Sequence, residues 1–364
     1  MVEYKKFKVG ELFDKAQLGD TNLKKSDLTD DGDFVITSGK TNCGVLGRTT
    51  RKAKLISANT ITVDMFGYVY YRDFPYKMVT HGRVMSLSSD NIVNREVGLY
   101  LAGTLSYLSN VFGYNNMATW NKVKSCDIML PVTSSGQFDF EYMAKYIRQI
   151  ELEKVRQIDE YLKSVGLDDT TLSSSEAAAL TKKVVWKKFR IGSLFEKKTV
   201  RGYPKKLEDL TPVSNGYHTF GQNIHYQHEQ RILMPERYLF NVDRPILAYA
   251  SSTGSVGMIN ESFYRSGDNG AFQALLPKFD DTRITTMLFI LTIMKRVFMN
   301  FNYNTNIRGV LDLSILLPVT SIGEIDFDYM QNYIRAIEKQ TIKNVVKYRN
   351  DVINTTQQIV DPTV

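Results

Sequence analysis

The segment LPVTSSGQFDFEYMAKYIRQIE, Leu130 to Glu151, returns as LPVTSIGEIDFDYMQNYIRAIE, Leu317 to Glu338, with 15 of 22 positions identical at an offset of 187 residues. Working outward, KKFKVGELF, Lys5 to Phe13, returns as KKFRIGSLF, Lys187 to Phe195, with six of nine positions identical at an offset of 182. An aromatic residue, Tyr4 or Trp186, stands just ahead of each copy. Self-similarity of this kind marks a duplicated architecture. The centres between the matching ends, 14–129 and 196–316, differ by five residues in length and share little beyond scattered Gly and aromatic positions.

Constant ends around variable middles have a physical meaning. A frame retains the residues that fix packing and partner contacts, while an interior that reads something is free to vary. The competing reading is a duplicated structural domain whose surface loops drifted neutrally.

After the longer motif, Met143, Ile147, Ile150, Ile158, Leu162 and Val165 recur near one face of a helix. Asp139 is placed to cap its start and Gly166 to stop it. About 25 residues at 1.5 Å each span about 37 Å. The second copy runs from Asp326 through Met330, Ile334, Ile337, Thr341, Val345, Tyr348 and Val352, with no proline until Pro362. Each stripe needs a partner, so the economical expectation is that the helices pair, antiparallel or as a short coiled coil. The alternative is that each folds back on its own domain. The candidate helix and partner interface is Met143, Ile147, Ile150, Ile158 and Leu162 with Met330, Ile334, Ile337, Val345 and Tyr348. Between the halves, GLDDTTLSSSEAAALTKK, Gly166 to Lys183, reads as a free linker whose end forms a turn or two of helix.

The centres read as mixed. Val35–Thr37, Thr60–Val63, Gly67–Tyr71, Val84–Leu87, Ile246–Tyr249 and Phe272–Leu276 are rich in branched and aromatic residues and predict strands, while Val97–Phe112 and Thr285–Phe298 predict helices. The class is α+β, and the expected domains are 1–140 and 186–327, with long helices over 141–165 and 328–358 and a linker over 166–185.

A length of 364 residues suits about two domains. No run approaches the roughly 20 apolar residues of a membrane span, and MVEYKKFKVG lacks a signal peptide's apolar centre, so a cytoplasmic protein without membrane contact is expected. Two cysteines, Cys43 and Cys126, offer neither a disulfide framework nor metal spacing. The excess of 46 Lys and Arg over 39 Asp and Glu leans toward a polyanionic partner.

Catalytic motifs are missing. There is no phosphate-binding loop, and Ser251–Gly257 lacks the lysine one would need. The adjacent prolines of amino-methyltransferases are absent, as is a carboxylate and lysine cluster of the nuclease kind. His225 and His228 lack a third metal ligand. Basic and amide side chains interleaved with aromatics do concentrate in the centres, where they suit phosphates and base edges. The candidates are Arg48, Arg51, Lys52, Lys54, Tyr70, Arg72, His81, Arg83, Asn115, Asn121 and Lys122 in the first half. In the second half they are Arg201, Lys205, Lys206, His218, Gln222, Asn223, His225, Ser252, Asn304, Asn306 and Arg308. Two reading heads about 37 Å apart would sit near one turn of B-DNA, about 34–36 Å, so a bipartite and asymmetric target is expected.

With divergent centres framed by repeated segments, the sequence resembles the specificity subunit of type I restriction-modification systems over nearly its whole length. The form P-V-T-S-x-G-x-x-D-F-x-Y-M, with Asp139, Phe140, Tyr142 and Met143 and then Asp326, Phe327, Tyr329 and Met330, is also similar to specificity subunits of type IIB, BcgI-like systems. It departs from the Glu-Gln pair that enters the helix in the commoner type I pattern. The resemblance implies two target recognition domains in pseudo-twofold repeat, joined by two long antiparallel spacer helices. It implies a non-catalytic chain that binds double-stranded DNA and docks methyltransferase and restriction subunits, or a fused restriction-methylation subunit. S-adenosylmethionine, and Mg2+ for cleavage, would then belong to those partners, with no cofactor in this chain. Rival readings are the recognition part of a nuclease or methyltransferase with unrecognised activity, and a duplicated protein-binding scaffold.

Overall fold

The computed structural model describes residues 2–13, 16–221, 224, 231–251, 253–268, 272–299 and 309–360, with side chains described as far as 353. It divides into two compact units. The first runs from the N-terminus to Tyr161 and takes in the last helix from Asp351 onward; the second is Leu162–Asn350.

In the first unit, β1 (Glu3–Lys8) pairs antiparallel with β9 (Asp127–Val132), from Glu3 opposite Val132 to Lys8 opposite Asp127. The two repeated ends of the half are thereby hydrogen-bonded to one another. Between them stand α1 (Val9–Leu12), β2 (Ala16–Leu18), β3 (Asp33–Ile36), β4 (Val45–Thr49), β5 (Thr60–Val63), β6 (Val69–Arg72), β7 (Tyr76–Met78) and β8 (Met85–Leu87). The helices α2 (Arg95–Thr104), α3 (Leu108–Val111) and α4 (Trp120–Val123) follow. Two sheets form, in the orders β2-β8-β5-β6 and β4-β3-β7, with β3 and β7 parallel. The continuous helix predicted over 97–112 is broken between α2 and α3. There Thr104 Oγ1 donates back to the Tyr100 carbonyl at 2.9 Å, a bond that bends helices.

The second unit repeats this plan. It contains β10 (Val185–Arg190), α7 (Ile191–Leu194), β11 (Phe195–Thr199), β12 (Tyr217–Phe220), β13 (Arg231–Ile232), β14 (Ile246–Ala250), β15 (Val256–Ile259), β16 (Phe263–Arg265), β17 (Phe272–Pro277), α8 (Ile284–Phe298) and β18 (Ser314–Val319). β10 pairs with β18, and the sheet orders are β11-β17-β14-β15 and β13-β12-β16, with β12 and β16 parallel. Centres that share little sequence thus share strand order and direction.

Alternation along the central strand explains the layering. One face of β14 sends Leu247 and Tyr249 into a core with Met287, Ile290 and Met330; the other sends Ile246 and Ala248 against Phe263 and Phe272. In the first unit Ile61 and Val63 likewise face α2, but the opposite face of β5 carries Thr60 and Thr62. There a polar network replaces the apolar layer: Tyr76 Oη lies 2.8 Å from Thr60 Oγ1 and donates to Ser86 Oγ at 2.7 Å.

The long motif has the same backbone in both halves. After β9 the chain turns at Gly136 (φ +81°), and Asp139 accepts the Tyr142 N–H at 2.9 Å to start α5 (Phe140–Ser164, 25 residues). After β18 it turns at Gly323 (φ +81°), and Asp326 accepts the Tyr329 N–H at 2.9 Å to start α9 (Phe327–Val360, 34 residues). Gly166 ends α5 in the left-handed conformation (φ +63°). Its N–H bonds to Lys163 O at 3.0 Å, and that of Leu167 to Leu162 O at 2.7 Å, satisfying the terminal carbonyls.

The segment expected to be a free linker is held down. Arg335 of α9 donates to the carbonyls of Val165, at 2.8 Å, and Gly166. Lys339 donates to Thr171 O at 2.9 Å, and Arg349 to Asp168 O at 3.0 Å. The helix α6 (Ser174–Thr181) follows, capped by Ser173. Lys182 then pairs with Asp326 at 2.8 Å.

Candidate nucleic-acid interface

In the first unit, the basic cluster begins in β4 at Arg48 and runs on into the segment that follows. The Arg48 guanidinium stacks 3.8 Å from the Phe34 ring centre and donates to Gly32 O at 2.9 Å, which fixes a long cation on the sheet surface. Arg51 pairs with Asp27 at 2.6 Å. Lys52 and Lys54 are exposed and line an open groove of about 580 Å³ with Asp20, Asp33 and Lys77. Lys77 is buried there against Asp33 at 3.0 Å. His81 Nδ1 lies 3.1 Å from Asn22 Oδ1. Arg83 and Lys122 converge on Met117: Arg83 Nη1 is 3.0 Å from its sulfur, and Lys122 Nζ donates to its carbonyl at 3.1 Å and to Asn116 Oδ1 at 2.7 Å. Asn115 and Asn121 are exposed nearby in the chain, and Tyr70 is half-buried.

Arg72 departs from the expectation of a surface contact. It is 3% exposed, donating to Thr62 Oγ1 at 3.0 Å and Cys43 O at 2.7 Å, so it is too deep to touch a duplex. Burial pushes its pKa down from the usual arginine value.

In the second unit Arg201 lies over the Tyr238 ring at 5.0 Å, and Lys205 and Lys206 are exposed. His218 Nε2 lies 3.0 Å from Glu261 Oε1 and 3.1 Å from an Arg231 nitrogen. Gln222, Asn223, His225, His228, Ser252, Asn304, Asn306 and Arg308 lie outside the described residues. Sequence reasoning passed over Arg231 and Glu261, which complete the His218 cluster, and the exposed β3–β4 hairpin tip, Lys40 to Cys43. Gly39 and Gly44 bracketing that tip were its available mark as a tight turn. Among the described residues no group of three or more His, Cys, Asp or Glu could hold a metal ion, and no helix is long and apolar enough to cross a membrane.

The helix stripes are only partly as expected. Met143 and Ile147 pack into the first unit's core, and Met330 and Ile334 into the second's, so the first turns of each helix do fold onto their own domains. Leu162 is buried and Ile158 half-buried, but Ile150, Ile337, Val345 and Tyr348 are exposed. The burial in α9 follows Ile342, Val346 and Arg349 instead, a stripe masked in the sequence by its arginine. Around the helix starts each unit carries a corresponding aromatic group, three of its rings from the frame and one from a helix of the centre. Tyr4, Tyr142, Tyr146 and Tyr100 have centroids 5.7–6.4 Å apart between successive rings. Trp186, Phe289, Tyr329 and Tyr333 have neighbouring centroids 5.8–6.3 Å apart. Tyr4, Tyr146 and Trp186 remain exposed.

A doubled mixed domain thus presents a repeated frame and two dissimilar polar surfaces. The chain belongs to the family described as the type I restriction modification DNA specificity domain, whose model matches residues 1–163 and again 183–348. It is similar to the specificity subunit of the type II restriction enzyme BcgI from Heyndrickxia coagulans, with 18% identity over 368 residues covering 96% of this chain and 99% of that one. The S subunit of a type I restriction-modification system from M. genitalium is similar in fold, with a TM-score of 0.57 and 15% identity over 98% of this chain and 95% of that one.

Proposed function

We propose that this chain is the DNA specificity subunit of a restriction-modification complex, and that its two units read unlike half-sites of one asymmetric bipartite duplex target. The observation that carries this is the repeated strand order of two centres whose sequences share little: a common scaffold holds different surfaces, as expected when each surface answers to a different target. In this reading the domains are 1–140 and 186–327, and α5 and α9 act as antiparallel spacers that set the gap between half-sites. Methyltransferase and restriction subunits, or a fused chain, dock on the frames, and the paired aromatic groups support equivalent contacts on each. S-adenosylmethionine and Mg2+ act in those subunits within the cytoplasm, and this chain does no chemistry. Exchanging residues 14–129 for the corresponding centre of a relative is expected to change one half-site only, and lengthening α5 to change only the gap. Methyl transfer or DNA cleavage by the purified chain alone would contradict the proposal, as would exchange that alters both half-sites.

A further inference from the structure

The β3–β4 hairpin of the first unit ends in four exposed residues, Lys40, Thr41, Asn42 and Cys43. Asn42 (φ +48°), Cys43 (φ +51°) and Gly44 (φ +75°) all occupy the left-handed region. Glycine, and to a lesser degree asparagine, adopt it readily but cysteine does not, so surrounding structure must hold Cys43 in the turn. Two buried charged groups do so. Asp64 Oδ2 accepts the Gly39 N–H at 2.7 Å, and Arg72 Nη2 donates to Cys43 O at 2.7 Å. Asp64 also accepts the N–H groups of Phe66 and Tyr68 at 2.9 Å each, and Lys40 Nζ lies 5.1 Å from the centre of the Tyr68 ring, so the tip is seated on the β5–β6 turn.

Asp64 and Arg72 are each 3% exposed, and Arg72 donates to a neutral hydroxyl and a neutral carbonyl and lies over the Tyr70 ring at 5.1 Å. Burying such ions is costly, and the fold does not require them. Thr60 pairs with Arg72 as Ile246 pairs with Ile259, and Asp64 follows β5 where Ala250 ends β14. The second unit thus builds the same layer from Ile259 and Ala250. Asp64 also closes its own β5–β6 turn and Arg72 also bonds Thr62, but the two charges meet at one hairpin, where they fix an exposed tip bearing an amide and an ammonium.

We infer that the Lys40–Cys43 tip is the base-reading element of the first unit, with Asn42 and Lys40 contacting base edges of duplex DNA and Asp64 and Arg72 as its positioning residues. This rests on the DNA-reading function proposed above. An asparagine amide matches adenine N6 and N7, a lysine ammonium matches guanine O6 and N7, and a rigid support lets such contacts discriminate instead of merely adhere. Arg72→Lys keeps a positive charge but cannot fork between Thr62 and Cys43.

Selection of bound sequences from a randomised duplex pool by the full-length chain tests this, with Asn42→Ala, Lys40→Ala and Arg72→Lys compared to the parent and thermal melting as a check on folding. The surface variants are expected to melt as the parent does and to lose about tenfold discrimination at adjacent positions of one half-site, leaving the other intact. Arg72→Lys relaxes the same positions. Parent-like sequences selected by both surface variants, or relaxation in both half-sites, overturn the inference while leaving the DNA reading in place. A parent chain that selects no sequence overturns both.

Discussion

The Lys339 ammonium of α9 donates to the Glu176 carboxylate of α6 at 2.8 Å, with the two side chains only 13% and 9% exposed. Burial, the largest influence on Glu176, pushes its pKa up, but the bonds from Lys339 and the Ser173 N–H outweigh it and leave the carboxyl below its ordinary value. Removing the lysine alone would strand a buried charge. Lys339→Met is expected to cost about 2–3 kcal/mol in denaturant unfolding, and the double variant with Glu176→Gln less than that.

The same pair sets a pH dependence. A carboxyl whose folded-state pKa is depressed stabilises the fold above its unfolded-state value of about 4.3, and loses that contribution as pH falls through the lower folded value. Parent stability should therefore drop between neutral and acid pH more steeply than that of the Lys339→Met, Glu176→Gln double variant. Parallel melting curves for the two would refute a stabilising role for the pair.

The layer between sheets should resist opposite substitutions in the two units. Tyr76→Phe leaves the Thr60 and Ser86 hydroxyls short of a partner and is expected to cost about 1–2 kcal/mol. Phe263, at the corresponding register of β16, is fully buried among Phe220, Phe240 and Phe272, so Phe263→Tyr buries a hydroxyl among rings at a cost of about 2 kcal/mol. Urea titrations of the single variants decide this, and a stabilised Phe263→Tyr variant would sink it.

Gly67 has φ +80°, and a Cβ placed on it would lie 2.3 Å from Leu108 O. Backbone, not a pliable side chain, stands in the way. Gly67→Ala is expected to destabilise the first unit by at least about 2 kcal/mol, read as a lower urea midpoint.

DNA binding should weaken steeply with salt. Neutralising Lys52 and Lys54 together should lower the slope of log affinity against log salt by up to about two, while Asn42→Ala leaves the slope unchanged. Binding that is indifferent to salt would argue against phosphate contact by this surface.

Legibility in the sequence followed the physical range of each feature. Local chemistry was plain: Asp139 and Gly166 bound α5 as capping rules predict, and Thr60–Val63 is a strand over the range that its residues suggest. Long-range relations were not. Nothing local reveals that β1 pairs with β9, or that Arg335, Lys339 and Arg349 fasten a polar segment that reads as free. Arg72 was chosen for its type and neighbours, which carry no information about depth. The tip at Lys40–Cys43 was overlooked because its importance lies in Asp64 and Arg72, more than twenty residues away.

Each centre leaves and rejoins its frame at a single rung, Lys8 beside Asp127 and Arg190 beside Ser314. The doorway has a fixed width however much chain passes through it. Insertions or deletions inside therefore alter the lodger without moving the doorposts, and the five-residue surplus of the second centre is absorbed without disturbing its ladder. Such a socket lets new surfaces be tried at little risk to the frame that must carry them.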